Sequence, residues 1–587
     1  MTPHPRALAR LALGLGLLLA ACTAAPTAAP ATEPTGAPVV QPTAAAAEGQ
    51  GGAGGQIVLI IPEEPTSLNR YLGDAAIVRQ VADTVSGTGL TYVDPAGQYQ
   101  AALAAELPSA ANGGLSEDLK TVTWHLKPDL KWSDGQPLTT ADIVHTWETI
   151  ANPDSGALAQ TGGFAEITSI ETPDDVTAIV TYAKPYPDYL GQFSAGLFPK
   201  HATGAPADML GWEWNLKPVG AGPFRVTEWR AGESITLERN PYYYEVGKPS
   251  LDQIIFSIVP DEAAQEAIMQ QGDAHVQLWP GADKATYDAR MAGVASQKLV
   301  PGVWNLAIDF NLSAPNDGDT GAGTPHPILG DIRVRQAMAH AIDYDVLVDE
   351  VLGDQGVVHS TNPFAYGWYQ CDLPRQQNYD VEAAKRLLEE AGWVEGPDGI
   401  RVAQGVVNAP DGTRLTLELQ GYTNYDPLQL TEEWLAEQWK AVGIEITIVN
   451  YDFSIIFGSL SDGSPRKTGD FDMLIYDRSF TIEPQQEVSA YFLSTSIPGA
   501  DNPDGDNYFR WVNPTADSLI AAAGGTFDQA ERKQAYCALG EMVQTELPQL
   551  YLYVFQDGYG FSSRLSGYSV STWGSMTWDI QNWQLAP

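Results

Sequence analysis

Residues 23–55, TAAPTAAPATEPTGAPVVQPTAAAAEGQGGAGG, decide where this chain can begin to fold. They hold no aromatic residue and almost no charge, and Ala, Pro, Thr and Gly bury too little apolar surface to offset the entropy of ordering them. The stretch reads as a flexible tether, partly extended at its prolines. A folded body is expected from Gln56 onward, where QIVLII is a β-branched run of the kind that forms a buried strand. The chain has 587 residues, more than one hydrophobic core accommodates, so at least two lobes are expected.

Ahead of the tether, Arg6 and Arg10 precede an apolar run at residues 11–20, about half of the ~20 residues a membrane span needs. Leu19-Ala20-Ala21-Cys22 follows. Small residues before a cysteine suit a signal peptidase, and the segment resembles the bacterial lipobox. That resemblance implies a signal peptide over residues 1–22, lipidation of Cys22 and a membrane anchor at the outer face of the cell membrane or in the periplasm. No later run of 18 apolar residues occurs, so the mature body is not expected to span a membrane.

Acidic residues outnumber basic ones 73 to 32, a net charge of −41. Without a basic footprint, nucleic acid is excluded as a partner. The same charge opposes adhesion to anionic lipid heads, so attachment has to come from the lipid. Catalytic motifs are missing: there is no G-x-S-x-G, H-E-x-x-H, GxxxxGK[ST], or GxGxxG after a strand. The eight histidines are scattered, and neither His326/His340 nor His125/His145 has metal-ligand spacing on a helix. No enzyme, metal or cofactor is read from the chain. Cys371 and Cys537 are either a disulfide or two buried thiols.

Strands and helices alternate through the body. Strands are expected at 121–126, 234–237, 415–419, 445–449 and 473–476. Helices are expected at 140–150, at 331–352 with a break near Asp343, at 381–391 ending before Gly392, and at 528–547 stopping before Pro548. This is an α/β body whose sheet order the pattern does not reveal.

Six segments, in order, resemble one family. They are EPTSLN at 64–69, TWHLKPDLKWSDGQPLTTADIVHTWE at 123–148 and PVGAGPFRVTEWRAGESITLERNPYYY at 218–244, then DIRVRQAMAHAIDYDVLVDEVLG at 331–353, YDVEAAKRLLEEAGW at 379–393 and FDQAERKQAYCALGEMVQTELPQLYLY at 527–553. Together they are similar to the bacterial extracellular solute-binding proteins of family 5, the oligopeptide-, dipeptide- and nickel-binding proteins of ABC importers. Each also has a local scaffold reading. Asp134-Gly135 is a turn, Thr139 or Thr140 a helix cap with Asp142 behind it, and Gly220 and Gly222 let backbones pass closely. Arg333 and Arg335 lie on a helix with Asp331 and Asp343, suggesting surface ion pairs.

The resemblance implies a two-lobed periplasmic-binding-protein-like fold of class II with an extra small domain, mixed sheets and a hinge between the lobes. Lobe I would comprise 56–90, 200–303 and 556–587, the inserted small domain 91–199, and lobe II 304–555, with crossings near 303 and 556. The implied partners are a peptide-like ligand and a permease, with the binding protein itself a monomer. Oligosaccharides stacking on some of the 16 Trp and 25 Tyr, or a role as a ligand-presenting sensor, remain alternatives. Ligand contacts implied by the resemblance are Gly73, Asp74 and Ala75 after EPTSLN, Trp304 and Asn305 at the crossing, and Tyr476, Asp477 and Arg478 in FDMLIYDRSFTIEP. Oligopeptide-binding relatives carry an Asp a few residues before the Glu-Pro, facing the ligand's amino end. Here that stretch is Phe480-Thr481-Ile482, and the nearest upstream acid is Asp477. Either Asp477 meets the ammonium, or Arg478 pairs with it and the ligand is neutral or anionic.

Overall fold

The computed structural model describes residues 54–586, except 74, 158, 316–322, 359–361 and 365. The leader, Cys22, the tether to residue 53 and Asp74 therefore lie outside the described residues.

QIVLII forms β1 (Gln56–Ile61), with Ile57, Leu59, Ile60 and Ile61 fully buried. Burial on both faces is the reason this segment is continuously apolar rather than alternating. The other strands of the large sheet are β2 (Phe224–Arg230), β3 (Ser234–Arg239), β4 (Gln253–Ile258), β5 (Val276–Leu278), β6 (Ala295–Phe310), β7 (Thr416–Tyr422), β8 (Glu445–Tyr451), β9 (Met473–Ser479) and β10 (Gln549–Ser562). Their spatial order is β8-β7-β9-β6-β10-β5-β1-β4-β3-β2, and the short strand Gly356–Val358 pairs with β10. The sheet is mixed: β1 runs parallel to β4 and β5, whereas β6 is antiparallel to both β9 and β10.

Two strands tie its halves together. β6 has 16 residues and β10 has 14, enough at about 3.3 Å per residue to run through both halves. Their register shifts between Pro301 and Asn305. Proline cannot donate to the ladder, and the inserted residues kink the pair. Positions 303 and 556 fall in this irregular stretch. On one side the core gathers Ile57, Phe224, Phe256 and Phe561. On the other it gathers Ile308, Met338, Trp393, Leu417 and Trp439. A separate core of Trp124, Ile143, Phe164, Val180 and Trp214 lies over a three-stranded sheet of residues 121–125, 167–171 and 177–182. A fourth, of Phe364, Phe480, Phe492, Trp511 and Tyr536, holds the Cys371–Cys537 disulfide, whose Cα atoms are 5.4 Å apart. The alternative of two thiols is thereby decided.

The helices follow local signals. α1 (Ala76–Ala82) follows the loop at Gly73. α2 (Thr140–Ile150) starts at Thr139, whose N–H donates to Asp142 at 2.9 Å. Asp142 also accepts from the Lys200 N–H and from Trp132 Nε1, so this signature is scaffold, as expected. α3 (Ile332–His340) and α4 (Tyr344–Val351) are two helices, and Asp331 and Asp343 are their N-caps. Asp343 is thus a cap, not an ion-pair partner. Arg333 pairs with Asp331 as read, but Arg335 is buried and donates to the carbonyls of Leu329, Glu546 and Leu547. α5 (Val381–Glu390) ends before Gly392. α6 (Asp426–Lys440), α7 (Gln485–Phe492) and α8 (Gln529–Glu546) complete the set used below. At Gly220 and Gly222 a Cβ would stand 2.0 and 2.6 Å from the Val85 carbonyl oxygen, a close approach only glycine permits.

Candidate functional site

A cavity of about 430 Å3 opens between the Trp124 core and the Phe480 core. That is within the ordinary range for ligand pockets of a few hundred Å3. One wall comes from Tyr99, the loop 160–162 and the segment 186–194, where Pro187 starts a short 3-10 turn carrying Asp188. The other comes from residues 481–491 at the start of α7, and Asp506 completes it.

The chemistry of these walls is acidic. Asp188, Glu483, Glu487 and Asp506 line the cavity, and among the described residues no Lys, Arg or His does. Arg532 of α8 stands behind them. Its Nη1 donates to Glu483 at 2.8 Å and its Nη2 to Asp188 at 3.3 Å, across 344 residues of sequence. Burial raises the pKa of both carboxyls, partly offset by Arg532, and Asp188 adds to the rise at Glu483. Glu487 lies in the first turn of α7, where the helix dipole favours a carboxylate. Burial outweighs this, and with Asp188 nearby its pKa is pushed up to about 7. One Glu487 oxygen and the amide nitrogen of Gln192 are buried with no hydrogen-bond partner among the described residues.

The residues singled out from sequence are dispersed. Gly73 is half-buried and Ala75, exposed, precedes α1. Trp304 is 49% exposed at the register shift of β6. Asn305 is buried, donating to Tyr366 Oη at 2.7 Å. Tyr476 and Arg478 are buried beneath the cavity: both reach Asp309, Tyr476 Oη at 2.8 Å and Arg478 Nη2 at 2.6 Å. Arg478 stacks on Tyr491, whose ring faces a cavity wall, at 4.2 Å. None of these residues is in the cavity lining.

The Asp477–Arg478 pair is a correction. The two are successive residues of β9, so they point to opposite faces of the sheet. Asp477 instead accepts the Tyr422 hydroxyl at 2.7 Å, and Arg478 has Asp309. Had the strand been extended from 476 to 479, its two-residue period would have separated them. Glu487 was missed because nothing local distinguishes it among 73 acids. Among the described residues no three His, Cys, Asp or Glu are grouped to hold a metal, and no helix is long and apolar enough to cross a membrane.

Comparison with known proteins adds three findings. The model of the bacterial extracellular solute-binding proteins, family 5 Middle, matches residues 98–500, more than half of the chain. The oligopeptide-binding protein AppA of Bacillus subtilis is 27% identical over 548 residues, covering 91% of this chain and 92% of that protein. Its structure with a nonapeptide aligns over 91% of this chain and 99% of its own with a TM-score of 0.67 and 24% identity, and HbpA2 of Haemophilus parasuis aligns over 91% and 100% with a TM-score of 0.74 and 20% identity. Both solved structures share the two-lobed binding-protein fold.

Proposed function

Since the chain belongs to the bacterial extracellular solute-binding proteins of family 5, we propose that it captures a short peptide in the 430 Å3 cavity and delivers it to the permease of an ABC importer. The observation that carries this is the unpartnered, buried oxygen of Glu487 on the cavity wall. A peptide's amino end needs an anion once water is excluded, because an unpaired buried charge costs several kcal/mol. Glu487 supplies one from the far side of the Glu483-Pro484 motif, in place of the upstream Asp that this sequence lacks.

The lobes proposed are 56–90 with 200–303 and 556–587, the small domain 91–199, and 304–555, hinged where β6 and β10 shift register. A ligand closes such a hinge only through its higher affinity for the closed form. Binding proceeds without turnover. The Leu-Ala-Ala-Cys boundary supports lipidation of Cys22, which would hold the monomeric body outside the membrane on its tether. Peptides are favoured over oligosaccharides because, among the described residues, the cavity lining contains three tyrosines but no tryptophan for sugars to stack on.

The test is calorimetry with a tripeptide in free and N-acetylated forms. Glu487→Gln is expected to cost the free form about 2–5 kcal/mol, the range for removing one partner of a buried charge pair, and the acetylated form little. Loss with Asp477→Asn instead would make Asp477 the ammonium partner. Equal binding of both forms by all three proteins would remove the ammonium site.

A further inference from the structure

The cavity holds more carboxyl groups than one amino end requires. Glu487 takes no part in the ion pairs of Arg532, which serves as one cation for the two carboxyls of Asp188 and Glu483. Lys467 pairs at 3.2 Å with Asp506, which offsets that lining acid, and Arg478 is held by Asp309 at 2.6 Å. Among the described residues the lining offers no basic side chain to receive a ligand carboxylate. It does offer Tyr99, Tyr186 and Tyr491, whose ring faces attract cations. A second feature points to a ligand independently of the acids. Gln192 lines the same cavity, is 5% exposed, and its amide nitrogen has no partner although its carbonyl accepts from Tyr182. That free donor matches a peptide carbonyl. The whole chain, at −41, also draws cations toward it and repels anions.

We propose that the site selects short peptides carrying a second positive charge, a basic side chain close to the amino end, and rejects acidic ones. The amino end meets Glu487 and the basic side chain meets the Asp188–Glu483 pair. This rests on the peptide reading above and gives it a charge class. Proton balance follows: carboxyls that hold protons in the empty cavity release them when the ligand's cations arrive.

The experiment uses the full chain and four probes: Ala-Lys-Ala, Ala-Ala-Ala, Ala-Glu-Ala and spermidine, a polyamine without a peptide backbone. Titration calorimetry in two buffers of different ionisation enthalpy reads affinity and proton release together. The expected order is Ala-Lys-Ala, then Ala-Ala-Ala, then Ala-Glu-Ala, with about tenfold or more between the first and last, as differently charged contacts in a water-poor site produce. Asp188→Asn is expected to narrow that gap, and Glu437→Gln, an exposed acid on α6, to leave it unchanged. Equal affinity for the three peptides, or preference for Ala-Glu-Ala, overturns the charge selection while leaving peptide binding intact. Binding of spermidine with no peptide bound keeps the cation preference but removes the peptide reading beneath it. No binding of any probe overturns the inference.

Discussion

Arg532 on α8, behind the cavity, reaches Asp188 on one of its walls at 3.3 Å, joining segments that lie 344 residues apart. Glu483 takes the same guanidinium at 2.8 Å, and all three side chains are largely buried. The contact fastens the small-sheet region to the far wall.

Arg532→Met leaves two buried carboxyls without their cation. Removing one partner of a buried pair costs about 3–5 kcal/mol, and that loss is expected at pH 8. Burial raises the pKa of both carboxyls, so towards acid pH they are more readily neutralised and the mutant is expected to lose less at pH 5. Denaturant titrations at the two pH values measure this. X-ray scattering is expected to show a more open shape at pH 8, and an unchanged profile would mean other contacts hold the walls together.

Glu432 on α6 is fully buried, bonded to Asn450, with burial raising its pKa from the ordinary 4.5 to about 7. Between those values the folded protein binds a proton that the unfolded chain does not. Stability from this group is therefore full below pH 4.5 and is lost as pH rises through 7. Glu432→Gln is expected to gain on wild type between pH 5 and pH 8 by on the order of 3 kcal/mol. A difference independent of pH would show that Glu432 ionises freely in the fold.

The Cys371–Cys537 disulfide closes 166 residues and pins the segment bearing Trp368 and Tyr369 against α8. Cys537→Ser is expected to lower unfolding free energy by about 2–5 kcal/mol in oxidising buffer. Adding a reductant should bring wild type down to the mutant. If the two already coincide without reductant, the cross-link contributes nothing to stability.

Cys22→Ala, expressed with its native leader, is expected to shift the protein from the membrane fraction to the soluble extracytoplasmic fraction. Retention at the membrane would place the anchor elsewhere.

What the sequence determined by itself was local. The buried strand at Gln56, the break between α3 and α4 at Asp343, the turn at Gly135 and the cap at Thr139 depend on residues within a turn or two of each other. Capping, φ restriction and side-chain period act over that range. The six ordered segments carried the family because they are such local scaffold features. The tertiary structure decided the rest. Asp477 and Arg478, neighbours along the chain, are turned by strand alternation to Tyr422 and Asp309 rather than to each other. Glu487 became the candidate only when Gln192, almost 300 residues earlier, was folded across from it. Arg335 found backbone carbonyls rather than a surface acid. Whether a carboxyl is a solvated surface charge or a ligand contact depends on the burial and the opposite wall it receives. Both are set by long-range packing, which neighbouring residues do not encode.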